Sequence, residues 1–202
     1  MNLIKASTTV LASTALLLAV SGSARAKDEP PKLTPEEQAE MDAYMKAGTP
    51  GPQHMKLAES VGSYDLKVKS WHDPKQPPME EGGTATRTMA LDGRVLVEEF
   101  HGSMMGQPFT GHGMTGYDNV TGKYWGTWMD SMSTGMMLSS GSCDAKNTCT
   151  FTGSWPDPIT KKEIKSRMVT RWTSPTTEIF EMYGPDKAGK EFKMMEITYS
   201  RK

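Results

Sequence analysis

What this chain of 202 residues lacks narrows its possibilities first. Its 23 Lys and Arg residues gather in no cluster, so the electrostatic footprint of a nucleic-acid-binding surface is missing. Its main apolar run, Val10 to Val20, falls short of the roughly 20 residues a membrane-spanning helix needs. The four histidines, His54, His72, His101 and His112, stand at no metal-ligand spacing such as HxxxH. There is no nucleophile elbow, no phosphate loop and no Ser-His-Asp order. Gly111-x-Gly113-x-x-Gly116 fits a dinucleotide-loop spacing by letter, yet it precedes no helix and belongs to no βαβ unit, so it is set aside. Cysteine is nearly absent, with only Cys143 and Cys149.

What is present begins with an export signature. Lys5, the short apolar run and Ala24-Arg25-Ala26 follow the order of a secretory signal peptide over residues 1–26, with cleavage expected after Ala26. Neither cysteine lies near that point, which argues against a lipid anchor. Cleavage would remove Lys5 and Arg25 and no acid, leaving 21 basic against 24 acidic side chains, a net charge of −3. The mature chain is then expected in the periplasm or secreted. Export puts the two cysteines in an oxidising space, and the polar run between them reads as a turn, so a disulfide closing a hairpin is the simplest expectation.

Residues 27–50 read as a flexible leader and a short helix, and 51–202 as a single β-barrel domain. Thr34-Pro35-Glu36-Glu37 is a helix start, with Thr34 as cap, Pro35 in the first turn and Glu37 completing a capping box. That helix should run to about Lys46 with Met41, Tyr44 and Met45 on one face, and stop at Gly48. A second short helix is expected over 53–60, turning Leu57, Ala58 and Val61 inward.

Beyond Gly62, short β-rich runs alternate with turn residues. Strands are expected near 63–71, 83–91, 94–101, 108–117, 123–131, 135–142, 148–154, 163–173, 177–184 and 191–200. Asp92-Gly93 is a two-residue hairpin signal, and Asp118 to Gly122 a five-residue loop whose glycine takes positive φ. About ten strands joined without long crossovers predict an antiparallel up-and-down barrel, roomier inside than an eight-stranded one.

Several motifs point to one family. Leu91-Asp92-Gly93-Arg94, Gly106-Gln107-Pro108-Phe109-x-Gly111, Gly116-Tyr117-Asp118, Trp128-x-Asp130-Ser131 and the ending Met195 to Lys202 occur in an order that resembles the bacterial domain of unknown function 1579 family. The resemblance covers about residues 54–202. It implies a calycin-like β-barrel and no established activity.

Alternation along a strand supplies candidate lining residues. In the run from Lys123 to Ser131, Tyr124, Gly126, Trp128 and Asp130 form one set, and Trp125, Thr127 and Met129 the other. A register slip of one residue exchanges them. Phe109, Tyr117, Trp125, Trp128, Asp130 and Arg167 are the candidates to line a ligand site. Arg87, Glu98, Glu99, Arg167, Glu181 and Glu196 are the strand charges from which an inward Arg–carboxylate pair could come, binding a polar ligand group. The 17 methionines include doublets at 104–105, 136–137 and 194–195. Adjacent residues of a strand face opposite ways, so packing explains these better than a copper site.

Three readings follow. The first is a barrel binding a small, largely apolar or amphipathic molecule in its lumen. The second is an enzyme using an interior carboxylate, with Asp130 as the candidate general acid/base. The third is a soft-metal or haem carrier through Met and His. No particular cofactor is indicated, and neither is an oligomeric state.

Overall fold

A computed structural model describes residues 33–158 and 160–202. The signal segment, its cleavage point and the start of the leader lie outside the described residues. Two helices come first, α1 (Pro35–Gly48) and α2 (Pro52–Ala58). Ten strands follow: β1 (Gly62–Ser70), β2 (Met79–Ala90), β3 (Val95–Met104), β4 (Gln107–Asp118), β5 (Lys123–Asp130), β6 (Met137–Cys143), β7 (Cys149–Pro156), β8 (Glu163–Ser174), β9 (Thr177–Pro185) and β10 (Glu191–Arg201). Each pairs antiparallel with its sequence neighbours, and β1 pairs with β10 to close the barrel. The expected up-and-down barrel of ten strands is what forms. Closure leaves no unpaired sheet edge.

The start of α1 obeys the sequence signal. The Thr34 hydroxyl accepts from the Glu37 amide at 3.2 Å, and the Glu37 carboxylate accepts from the Thr34 amide at 2.7 Å. No residue of α1 is buried, and Met41, Tyr44 and Met45 stay exposed. The helix is held at its C-terminal end instead. Arg94 donates to the Gly48 carbonyl at 2.7 and 3.0 Å, and Asn119 donates to the carbonyls of Ala47 and Thr49.

In α2 the inward residue is not one of the three expected. Leu57 is half-buried, and Ala58 and Val61 are exposed. His54 is the buried one: its Nδ1 accepts from the Gly51 amide at 3.0 Å, and its ring meets Tyr117 edge-on at 5.9 Å. An imidazole can pack as an aromatic and still satisfy a helix-terminal N–H, which an aliphatic side chain cannot.

The β2–β3 connection also differs from the two-residue hairpin expected. Ala90 pairs with Val95, leaving four residues between, and positive φ begins at Leu91 (51°) and continues through Asp92 and Gly93. The 118–122 loop behaves as its glycine requires, with Gly122 at φ 67°. Cys143 and Cys149 form the disulfide, bridging the ends of β6 and β7. Closing so short a loop is worth roughly 2 kcal/mol on the chain-entropy account.

The apolar core lies inside the barrel against β1–β4, β9 and β10. It comprises Tyr64, Leu66, Val68, Ala85, Phe100, Phe109, Ile197 and Tyr199, with Trp128, Trp172, Phe180, Met104 and Met195 packed on it. On both faces of the β4–β5 pair, tryptophans lie over glycines. A Cβ on Gly111 would sit 2.3 Å from the Trp128 ring, and one on Gly116 would sit 2.3 Å from the Trp125 ring. Those glycines exist for close approach, not for phosphate binding.

Candidate functional site

Alternation combined with burial fixes the lumen-facing set. Tyr64, Leu66 and Val68 on β1 are buried while Asp65 and Lys67 are not, so the odd–even choice is settled there. Pairing carries it around the barrel. Arg87 opposes Glu98, Glu98 opposes Gly113, and Gly113 opposes Trp128. On the far wall Tyr199 opposes Glu178, which opposes Trp172.

These rows bring one charged cluster into the interior. The Arg87 guanidinium is buried and donates from Nε to Glu98 and from Nη1 to Glu178, reaching across β1 and β10 to do so. Tyr199 donates its hydroxyl to the second oxygen of Glu98 at 3.1 Å, and Thr170 donates to the second oxygen of Glu178 at 2.5 Å. Every carboxylate oxygen therefore has a donor, which burial of charge demands. Burial alone would lower the Arg87 pKa, but Glu98 and Glu178 outweigh it and hold the proton well above the ordinary range. Burial, reinforced by the Glu98 charge, pushes the Tyr199 hydroxyl well above its ordinary value. Counted formally, one cation facing two anions gives the cluster net −1, with Arg201 the next cation, on the ring of Tyr64.

The same arginine begins a stack of rings and guanidinium groups. Arg87 lies over Tyr199 at 4.3 Å and over Tyr64 at 5.0 Å. Arg201 also lies over the Tyr64 ring, at 5.6 Å, and is itself 5.1 Å from Trp172. Tyr64 has no exposed surface, and its hydroxyl donates to the Ser60 carbonyl while accepting from Arg201. This ladder lies at the end of the barrel that α2 approaches.

Toward the opposite end the lumen becomes aromatic. Phe100 meets Phe109 edge-on at 5.4 Å and Trp128 at 6.2 Å. The Trp128 indole donates to Asp130 at 2.9 Å, and the other Asp130 oxygen accepts from the Met132 amide at 2.9 Å. Asp130 thus orients Trp128 and fastens the turn after β5, with both oxygens engaged. Gly111 and Gly113 present no side chains beneath the indole, so the inner surface runs uninterrupted from Trp128 to Glu98.

The six candidate lining residues fall into three places. Phe109, Trp128 and Asp130 share the aromatic half of the lumen. Tyr117 faces inward but sits at the helical end, against Tyr124 at 4.9 Å and His54. It lies eight residues from Phe109 on one strand, about 26 Å at 3.3 Å per residue, too far for one small ligand to touch both. Trp125 and Arg167 need correction, since neither faces the lumen. Trp125 covers Gly116 on the outer face, as the residue next to inward Tyr124 and Trp128 must be spaced to do. Arg167 is outside, gripping Glu191 with two hydrogen bonds of 2.7 and 3.1 Å and stacking on Tyr183 at 4.0 Å. Glu181 and Glu196 are outer too, joined by Lys193, with Arg171 on Glu181.

Glu178, Thr170, Tyr64 and Tyr199 were not among the candidates. Their signal is phase: Glu178-x-Phe180-x-Met182 and Ala85-x-Arg87 put a charge in step with apolar positions of the same strand. Among the described residues, no group of three or more His, Cys, Asp and Glu is arranged to hold a metal ion, and no helix is long and apolar enough to cross a membrane.

Fold and interior together define a closed antiparallel up-and-down barrel with an aromatic wall above a buried charged floor. The family model described as a protein of unknown function (DUF1579) matches residues 49–201, and the chain belongs to that family. A search of curated proteins finds no match. Among solved structures, a redesigned β-barrel is similar at 14% identity and a TM-score of 0.38, over 72% of this chain and 94% of that one.

Proposed function

We propose that the protein is an exported binding barrel that takes a small, largely apolar molecule into its lumen, with a hydrogen-bond-donating or cationic end directed at Glu98 and Glu178. The observation that carries this reading is the net −1 cluster lying on the same inner surface as Phe100, Phe109 and Trp128. Glu98 faces inward and, at 13% of its side chain accessible against 9% for Arg87 and Glu178, is the member of the cluster that a polar group would approach first. A carboxylate-headed ligand would meet two carboxylates and be disfavoured. The signal-like N-terminus and the disulfide support the export part.

The test is a matched titration of dodecylamine and dodecanoate, read by tryptophan fluorescence, with native mass spectrometry of protein purified from its host. The amine is expected to bind and to move the Trp128 indole NMR resonance, the Glu178→Gln variant to bind it at least tenfold more weakly, and the carboxylate to leave that resonance unmoved in either form. Equal effects of both amphiphiles at Trp128, or of neither, would overturn the reading.

A further inference from the structure

A concavity lies at the helical end of the barrel. It has a volume of about 420 Å³, and its lining includes Lys56, Glu59, Lys146, Trp172, Pro175 and Arg201. Three cations face one acid there, and that acid, Glu59, is already engaged by Lys56 at 2.5 Å. Among the described residues no carboxylate pairs with Lys146 or Arg201. The Arg201 guanidinium is held in place by donating Nη2 to the Glu59 carbonyl at 2.5 Å and to the Tyr64 hydroxyl at 3.0 Å, and by its place between the rings of Tyr64 and Trp172. Its Nε is shut off from solvent and has no acceptor. A fixed guanidinium with no ion pair among the described residues, beside Lys146 and an indole, gives the groove a surplus of positive charge that favours an anion.

We propose that this groove binds a small aromatic carboxylate. With Nη2 used by Glu59 and Tyr64 and Nε buried, Nη1 of Arg201 is the donor left for a carboxylate oxygen, in a charge-assisted hydrogen bond. Lys146 adds attraction from the β6–β7 turn, while Trp172 and Pro175 provide the apolar wall for the ring. The volume is that of a small-molecule pocket, too small for a folded partner. Its charge preference is opposite to that of the lumen, so the failure of one site leaves the other standing.

The test is calorimetric titration of 1-naphthoate and of neutral 1-naphthylmethanol, with the tryptophan indole resonances followed by NMR. Naphthoate is expected to bind saturably and to move the Trp172 resonance but not that of Trp128, while the alcohol does not bind. Arg201→Gln should weaken naphthoate at least tenfold. Because Arg201 also tethers Ser60 through Tyr64, Lys146→Glu is the second variant: among the described residues its side chain makes no hydrogen bond or ion pair, so it should weaken binding several-fold at unchanged melting temperature. Naphthoate affinity unaffected by either substitution, or absence of saturable binding, would overturn the proposal, as would a shift at Trp128 alone.

Discussion

Arg87 and Arg167 make the same kinds of contact in two different places. Arg167 grips Glu191 and lies over Tyr183 at 4.0 Å, while Arg87 grips Glu98 and Glu178 and lies over Tyr199 at 4.3 Å and Tyr64 at 5.0 Å. Arg87 does so inside the barrel with 9% of its side chain accessible, and Arg167 on the outer face with 38%. The inner arginine has been stripped of water and depends on its partners, whereas the outer one keeps water as an alternative. The kinds of contact are alike, Arg87 having two of each and Arg167 one, and solvent access separates them further.

Substitutions can break or sharpen that contrast. The largest expected effect is from Arg87→Met, which strands two buried carboxylates and should cost about 3–5 kcal/mol in chemical denaturation. Replacing Arg87, Glu98 and Glu178 together by apolar residues of similar size should recover most of that loss, since burying the charges was itself costly. A triple variant no more stable than the single one would show that the cluster specifies the fold and does more than satisfy itself.

Next comes Tyr199→Phe, which removes one donor from Glu98 and should cost about 1–2 kcal/mol at neutral pH. The same variant carries a pH signature. Because the folded-state pKa of Tyr199 is raised, its contribution is fully present below the ordinary tyrosine value of about 10 and is lost as pH rises toward the folded value. The stability difference between wild type and Tyr199→Phe should therefore shrink above about pH 10. A gap that stays constant would mean that the hydroxyl is as easily ionised inside as outside.

The outer face should respond at the other end of the scale. Burial would raise the Glu181 pKa, but hydrogen bonds from Lys193 and Arg171 outweigh it and leave the carboxyl below its ordinary value. Its contribution is then complete above the ordinary carboxylate range and fades as pH falls through the folded value. Glu181→Gln should narrow the difference from wild type in acid, seen in melting temperatures from pH 7 down to 3. The smallest effect belongs to Arg167→Met, within about 1 kcal/mol after allowance for solvent screening, and absent in 1 M NaCl. The Arg87 effect should survive that salt.

The contrast also explains what the sequence could reveal. In β8 the set Ile164, Ser166, Met168, Thr170, Trp172 alternates with Lys165, Arg167, Val169, Arg171, Thr173, so the outward position of Arg167 is legible once the whole strand is phased. β5 offers no such help, because Trp125 and Trp128 stand in opposite sets and periodicity weighs them equally. The barrel, its ten strands, the α1 cap and the Cys143–Cys149 pair could be read because turns, caps and alternation are local signals. The joining of Arg87 to Glu178 could not, since it spans 91 residues and crosses two intervening strands. Only closure of the sheet brings them together.

The ladder from Trp172 through Arg201, Tyr64 and Arg87 to Tyr199 has a consequence for traffic. For the guest proposed above, the ladder is an obstruction at the helical end, since Tyr64 has no exposed surface and carries Arg87 and Arg201 against its ring. A guest in the lumen would have to leave by the door it entered, and an elongated one could not turn around on the way. It would go in head first and come out tail first, so its dwell time would be governed at the rim and its orientation decided before entry.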